Sequence, residues 1–106
     1  MAIHLLLADD SPSVHRLVTD SLEPEGIHVT CVENGEEALR QAVALIPAIV
    51  LADISMPRMG GQELAARLRL EPRARNIPVV LLVGPFDEYD PSRARAPGVV
   101  GMIPKP

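Results

Sequence analysis

The order of apolar and polar positions along the chain alternates between two periods. Some segments are short and nearly free of charged residues, whereas the segments between them repeat apolar residues three or four positions apart. The short apolar runs are residues 3–8, 28–32, 48–52, 78–83 and 99–103. Runs of this length and composition are typical of strands that are covered on both faces, as in a parallel sheet. The pattern therefore predicts five strands.

The segment after the first run has the features of a helix start. Ser11 can cap the helix, and Pro12 suits its first position. Gly26 is expected to end this helix. The apolar stripe of the helix is formed by Val14, Leu17, Val18 and Leu22.

Two further helices are predicted from the same periodicity. Asn34 with Glu37 forms a capping pair for the second helix. Its stripe is Ala38, Leu39, Ala42, Val43 and Ile46. The third helix ends before Pro72, and its stripe is Leu64, Ala65, Leu68 and Leu70. Strands that alternate with helices predict an α/β fold, a doubly wound five-stranded parallel sheet with right-handed crossovers.

The crossover between the fourth and fifth strands breaks the pattern. Residues 84–98 contain Pro85, Pro91 and Pro97. Proline within a helix costs about 3 kcal/mol and displaces the preceding residue from helical geometry. We therefore expect an irregular loop or a degenerate fourth helix there, with Phe86 and Tyr89 packing locally.

Composition narrows the class of protein. A chain of 106 residues fits one small domain, and its net charge of −4 argues against direct nucleic-acid binding and against binding to anionic membranes. No apolar run is long enough to span a membrane, and the N-terminus does not resemble a signal peptide. Cys31 is the single cysteine, which excludes an intrachain disulfide. A cytoplasmic location is the expectation.

Charged residues follow three of the predicted strands directly. Asp9 and Asp10 come after the first strand, Asp53 after the third and Lys105 after the fifth. Ligands of open α/β sheets bind at the carboxyl ends of the strands, and in a 2-1-3-4-5 order these four residues converge. Asp9 and Asp10 also suit the start of the first helix, a structural role that involves no chemistry. Asp53, in contrast, precedes no obvious helix start.

Clustered carboxylates suit a hard cation such as Mg²⁺. A carboxylate can also act as a nucleophile in phosphoryl transfer, with a metal and a lysine neutralising the charge on the phosphoryl oxygens. This chemistry assigns the nucleophile to Asp53, the metal ligands to Asp9 and Asp10, and the phosphoryl contact to Lys105.

These motifs, in this order, resemble the receiver domain of two-component response regulators. The resemblance rests on Asp9-Asp10, on the segment from Asp53 to Gly61 and on Lys105-Pro106, and it covers residues 3–106. It implies a flavodoxin-like fold, Mg²⁺ bound by Asp9, Asp10, Asp53 and the Ser55 backbone carbonyl, and phosphate transfer from a histidine kinase to Asp53. It implies no metabolic catalysis. We expect residues 1–106 to form a receiver domain that is part of a longer response regulator.

Two positions depart from the family pattern. Val83 stands where the family has a Ser or Thr whose hydroxyl contacts the phosphoryl group, and Met102 stands at the usual switch aromatic. A fifth helix is expected to be absent after Pro106, and the sheet face left open by it would favour a homodimer. Two hypotheses result: a phosphoacceptor receiver with an attached output domain beyond Pro106, or a pseudo-receiver that binds partners independently of phosphorylation.

Overall fold

A computed structural model describes residues 3–87 and 98–105 of the chain. Five parallel strands form one sheet in the order β2-β1-β3-β4-β5. The strands are β1 (Ile3–Ala8), β2 (Ile27–Val32), β3 (Ile49–Asp53), β4 (Val79–Val83) and β5 (Val99–Pro104). The predicted α/β fold and strand order are confirmed.

Three helices connect the strands within the described residues: α1 (Pro12–Leu22), α2 (Gly35–Leu45) and α3 (Gly61–Arg69). The Ser11 hydroxyl accepts a hydrogen bond from the N–H of Val14, which caps α1. The Asn34 side chain accepts one from the N–H of Glu37 at 2.9 Å, which caps α2. Both predicted caps are therefore confirmed.

The core has two layers, one on each face of the sheet. Adjacent residues of a strand point to opposite faces, so Leu6 packs beneath α2 and α3 while Leu7 packs beneath α1. Both side chains are fully buried. Burial on both faces explains why these strands are continuous apolar runs in the sequence.

The helix ends differ from the prediction in detail. α1 is followed by a 3₁₀ turn, Glu23–Glu25, before Gly26 adopts a positive φ of 83°. Ile46 is the C-cap of α2 with φ of 47°, and this left-handed geometry takes its side chain off the helical stripe. Leu70 follows the last turn of α3 and is 81% exposed. The assignments of Ile46 and Leu70 to buried stripes were wrong, and Leu17, at the edge of its stripe, is also exposed.

The proline-rich crossover is described only at its start. Residues 84–87 form a turn in which the Asp87 N–H donates to the Gly84 carbonyl at 3.2 Å. Phe86 lies at the tip of this turn and is 95% exposed, so its predicted packing role was wrong. The predicted degenerate fourth helix and Tyr89 fall on residues 88–97, outside the described residues. Pro106 is also outside them, and the expected absence of a fifth helix stays a prediction.

The packing of α3 predicts a sharp contrast between two leucines. Leu68 is fully buried and Leu70 is exposed. We expect Leu68→Ala to lower the free energy of unfolding by about 2–5 kcal/mol, because it leaves a cavity in the core. Leu70→Ala, the matched control, should change it by less than about 0.5 kcal/mol. Urea unfolding measures both, and equal losses would contradict this placement of α3.

Candidate functional site

Two neighbouring strands end in buried carboxylates. Asp9 follows β1, and Asp53 is the last residue of β3, which pairs with β1. Both side chains are almost completely buried, whereas Asp10 is exposed. One carboxylate oxygen from each of Asp9, Asp10 and Asp53 lies within 4.8 Å of the others. The fold therefore brings the three predicted acidic residues together.

Lys105 reaches this cluster from the end of β5. Its Nζ lies 2.9 Å from Oδ2 of Asp53 and 3.5 Å from Oδ2 of Asp9. The Lys105 backbone N–H donates to the Val83 carbonyl at 2.9 Å, which fixes the lysine backbone at the end of β4. The single ammonium group therefore offsets part of the negative charge of the two buried carboxylates.

Each buried carboxylate has one oxygen held by a nearby backbone N–H. Oδ1 of Asp9 accepts from Ser11 at 2.8 Å, and Oδ1 of Asp53 accepts from Ser55 at 3.1 Å. The His15 ring also contacts the Asp9 carbonyl. These bonds orient the two Oδ2 atoms towards Lys105.

The N-terminus of α3 packs closely behind Asp53. A Cβ atom on Gly61 would lie 2.8 Å from the Asp53 carbonyl and 2.7 Å from Cδ2 of Leu81, so a larger residue would displace the strand end. We did not predict this contact. The Gly60-Gly61 pair was its only sequence signal, and such a pair indicates a turn as readily as a close approach.

Comparison with known proteins identifies the family. The sequence model of the response regulator receiver domain matches residues 5–106. The chain belongs to this family. It is 33% identical to an uncharacterised 14.6 kDa protein of Leptolyngbya boryana over 96% of the chain and 78% of that protein. It is 31% identical to the response regulator PleD of Caulobacter vibrioides over the whole chain, which spans only 23% of PleD.

A solved structure gives the same result for the fold. The signal receiver domain of a signal transduction histidine kinase from Syntrophus aciditrophicus is 34% identical, with a TM-score of 0.86. The match covers 99% of this receiver domain and 80% of that chain. None of the helices in the described ranges combines the length and the apolar character needed to cross a membrane.

Burial dominates the electrostatics of Asp53 in this receiver domain. Desolvation raises the pKa of its carboxyl, the bonds from Ser55 and Lys105 offset part of that effect, and the charge of Asp9 adds to it. For Lys105, partial desolvation lowers the pKa, but the hydrogen bond and charge of Asp53, together with Asp9, outweigh it. The pKa of Lys105 is therefore raised, and its ammonium stays charged at neutral pH.

The acidic cluster has the character of a cation site. Within the described residues, Oδ2 of Asp9 is buried and has no hydrogen-bond partner, since Lys105 is too distant at 3.5 Å for more than a charge contact. A buried carboxylate oxygen without a partner is costly. A hard divalent cation between Asp9, Asp10 and Asp53 would remove that cost, and these oxygen ligands are the type that Mg²⁺ prefers.

The two atypical positions are Val83, the last residue of β4, and Met102, which lies inside β5 and pairs with Leu81. Val83 is half-buried beside the site, and Met102 is partly buried and packs against the core on the α2 and α3 face of the sheet. Neither side chain carries a hydroxyl. A polar contact at this end of β4 comes instead from Asp87, whose carboxylate accepts a hydrogen bond from the Gly84 N–H. We did not predict this contact, although an Asp three residues after a glycine was visible in the sequence.

The raised pKa of Asp53 predicts how stability depends on pH without metal. Folding favours the protonated carboxyl, so the native chain loses stability as pH rises through the folded-state pKa. Asp53→Asn lacks this ionisation, and we expect it to be more stable than the native chain near neutral pH. The gain should disappear below the ordinary pKa of an aspartate.

Urea unfolding in EDTA at several pH values measures this difference. Asp20→Asn removes an exposed charge from α1 and serves as the control, with an expected change below about 0.5 kcal/mol. A native chain that is the more stable one at neutral pH would contradict the prediction.

Proposed function

We propose that this receiver domain accepts a phosphoryl group from a histidine kinase on Asp53, with Mg²⁺ as cofactor. One observation carries the proposal: Asp53 lies next to the carboxylates of Asp9 and Asp10 and to the Lys105 ammonium. A nucleophilic carboxylate, oxygen ligands for a hard cation and a fixed positive charge are the groups that phosphoryl transfer to a carboxylate needs.

The reaction is a displacement at phosphorus. An Asp53 carboxylate oxygen forms the new P–O bond while the P–N bond of the donor phosphohistidine breaks, and the electron pair leaves with the imidazole. Mg²⁺, when held by Asp9, Asp10, Asp53 and the Ser55 carbonyl, supplies positive charge next to the transferring oxygens. Asp53 is held for attack by the Ser55 N–H, which bonds its Oδ1 at 3.1 Å.

Lys105 has the second electrostatic role. Its ammonium donates to Oδ2 of Asp53 at 2.9 Å before transfer, and its raised pKa keeps it protonated. After transfer the same ammonium donates to a phosphoryl oxygen, which requires only a small movement of a flexible side chain. Lys105 thus stabilises charge as it develops on the transferred group.

The proposal extends to partners. The donor is a histidine kinase, and an output domain attached beyond Pro106 receives the signal, as the small share of PleD that the chain matches supports. We further propose that the domain forms a homodimer through an apolar sheet face and that it is located in the cytoplasm. The domain catalyses no metabolic reaction.

A second candidate function is a pseudo-receiver that binds partners whether or not Asp53 is phosphorylated. Val83 and Met102 favour it, because neither residue supplies the polar or aromatic group that usually transmits phosphorylation in the family. The intact acidic cluster and Lys105 favour the first function, since a binding module would not need them. The two functions differ in whether Asp53 reacts.

Phosphorylation can be tested directly. With Mg²⁺ and a small phosphodonor such as acetyl phosphate, we expect the intact mass of the native chain to rise by one phosphoryl group. Asp53→Asn removes the nucleophile and should show no rise, while Glu63→Gln, an exposed change on α3, should behave like the native chain. A folded native chain that gains no mass would favour the pseudo-receiver.

Mg²⁺ alone should stabilise the fold. At a free concentration ten times the dissociation constant, binding to the folded state adds about 1.4 kcal/mol to the free energy of unfolding. Asp9→Asn and Asp10→Asn should lose most of this gain, since each removes a proposed ligand. Thermal unfolding with and without Mg²⁺ measures it, and an equal gain in all variants would contradict the assigned ligands.

A further inference from the structure

The turn that follows β4 is closed by an acidic side chain. The Gly84 N–H donates to Oδ2 of Asp87 at 2.6 Å, and the Asp87 N–H donates back to the Gly84 carbonyl at 3.2 Å. The Asp87 carboxylate therefore folds over the end of the strand. A short hydrogen bond to a charged acceptor is among the stronger contacts that a backbone N–H makes.

The alternation of backbone groups along β4 shows where the Gly84 N–H points. The Leu82 carbonyl accepts from Ile54 on the β3 side, and the Val83 carbonyl accepts from Lys105 on the β5 side. Successive residues of a strand turn their backbone groups to alternate sides. The next N–H, that of Gly84, therefore turns back towards the end of β3, where Asp53 lies.

The Asp87 carboxylate also lies at the rim of the site. A Cβ atom built on Gly84 would be 3.1 Å from Oδ2 of Asp87 and 3.7 Å from Cδ of Lys105. The Lys105 ammonium in turn contacts Asp53 at 2.9 Å. The Asp87 carboxylate and the Lys105 side chain therefore both lie close to Gly84.

We propose that Asp87 competes with the phosphoryl group of Asp53 for the Gly84 N–H, an inference that rests on the proposed function. Val83 has no hydroxyl that could donate to a phosphoryl oxygen on Asp53. The Gly84 N–H, which follows Val83 in the chain, is then the donor available at the end of β4. Asp87 already occupies that donor, and its charge repels the anion. Phosphorylation therefore shifts the turn of residues 84–87, which carries the exposed Phe86, towards an open state in which Asp87 is displaced.

The test measures the affinity of the full chain for beryllofluoride, a phosphoryl mimic, in the presence of Mg²⁺. Asp87→Ala frees the Gly84 N–H, and we expect it to bind the mimic about tenfold more tightly than the native chain. Asp87→Asn removes the charge but keeps an acceptor oxygen, so its gain should be smaller. Glu63→Ala and Glu63→Gln make the same charge changes on α3 and should leave the affinity unchanged.

A second readout follows the bond itself. The Gly84 amide resonance should shift when the mimic binds the native chain, and Asp87→Ala alone should shift it before the mimic is added. If Asp87→Asn binds no more tightly than the native chain while Asp87→Ala is misfolded, the inference fails.

The outcomes separate this inference from the proposed function. Equal affinities of the native chain and both Asp87 variants would overturn the competition and leave Asp53 as the phosphoacceptor. Absence of binding in every folded variant, as expected for the Asp53→Asn control, would overturn the proposed function and the inference with it. Binding by the Asp87 variants that exceeds binding by the native chain would support both.

Discussion

The contact of Lys105 with Asp9 and Asp53 is the interaction on which the carboxyl end of the sheet depends. Two carboxylates with almost no exposure lie side by side there, and like charges at such a separation are costly in a protein interior. Lys105 is 21% exposed, so solvent screens it little. Loss of Lys105 would leave both buried carboxylates without a compensating cation, and a buried charge that loses its partner in this way typically costs about 3–5 kcal/mol.

This contact also links distant parts of the chain. Lys105 belongs to the end of β5, two strands from Asp53, and its position depends on the backbone bond to Val83. β5 is one of the two edge strands of the sheet and pairs only with β4 among the described strands. The electrostatic requirement at the site therefore helps to hold the edge strand in register, so site and fold are not independent in this domain.

The parts of the structure that depend on burial and local chemistry could be predicted from the sequence. Strands covered on both faces are apolar runs, the Ser11 and Asn34 caps use local bonds, and strand-end positions located the acidic cluster. The assignments of Ile46 and Leu70 to buried stripes were wrong because helical periodicity does not show where a helix ends. The approach of Gly61 to Asp53 depends on packing between elements, which no local pattern encodes. The bond between Asp87 and Gly84 joins residues of one turn, but its importance arises only from the neighbouring strand end.

The strength of a switch built on this site depends on a difference between two states. A phosphoryl group shifts a conformational equilibrium only by the interactions that it makes in one state and lacks in the other. Val83 offers it no hydrogen bond, and exchange of Asp87 for a phosphoryl oxygen replaces one acceptor of the Gly84 N–H with another. The net gain is then the difference between two similar bonds plus the relief of repulsion from Asp87. A nearly complete shift from one conformation to the other requires about 5.5 kcal/mol. Under the proposed function, the free-energy difference that phosphorylation supplies is smaller, so both conformations are populated in either phosphorylation state. Phosphorylation of this domain would therefore produce a graded change in output.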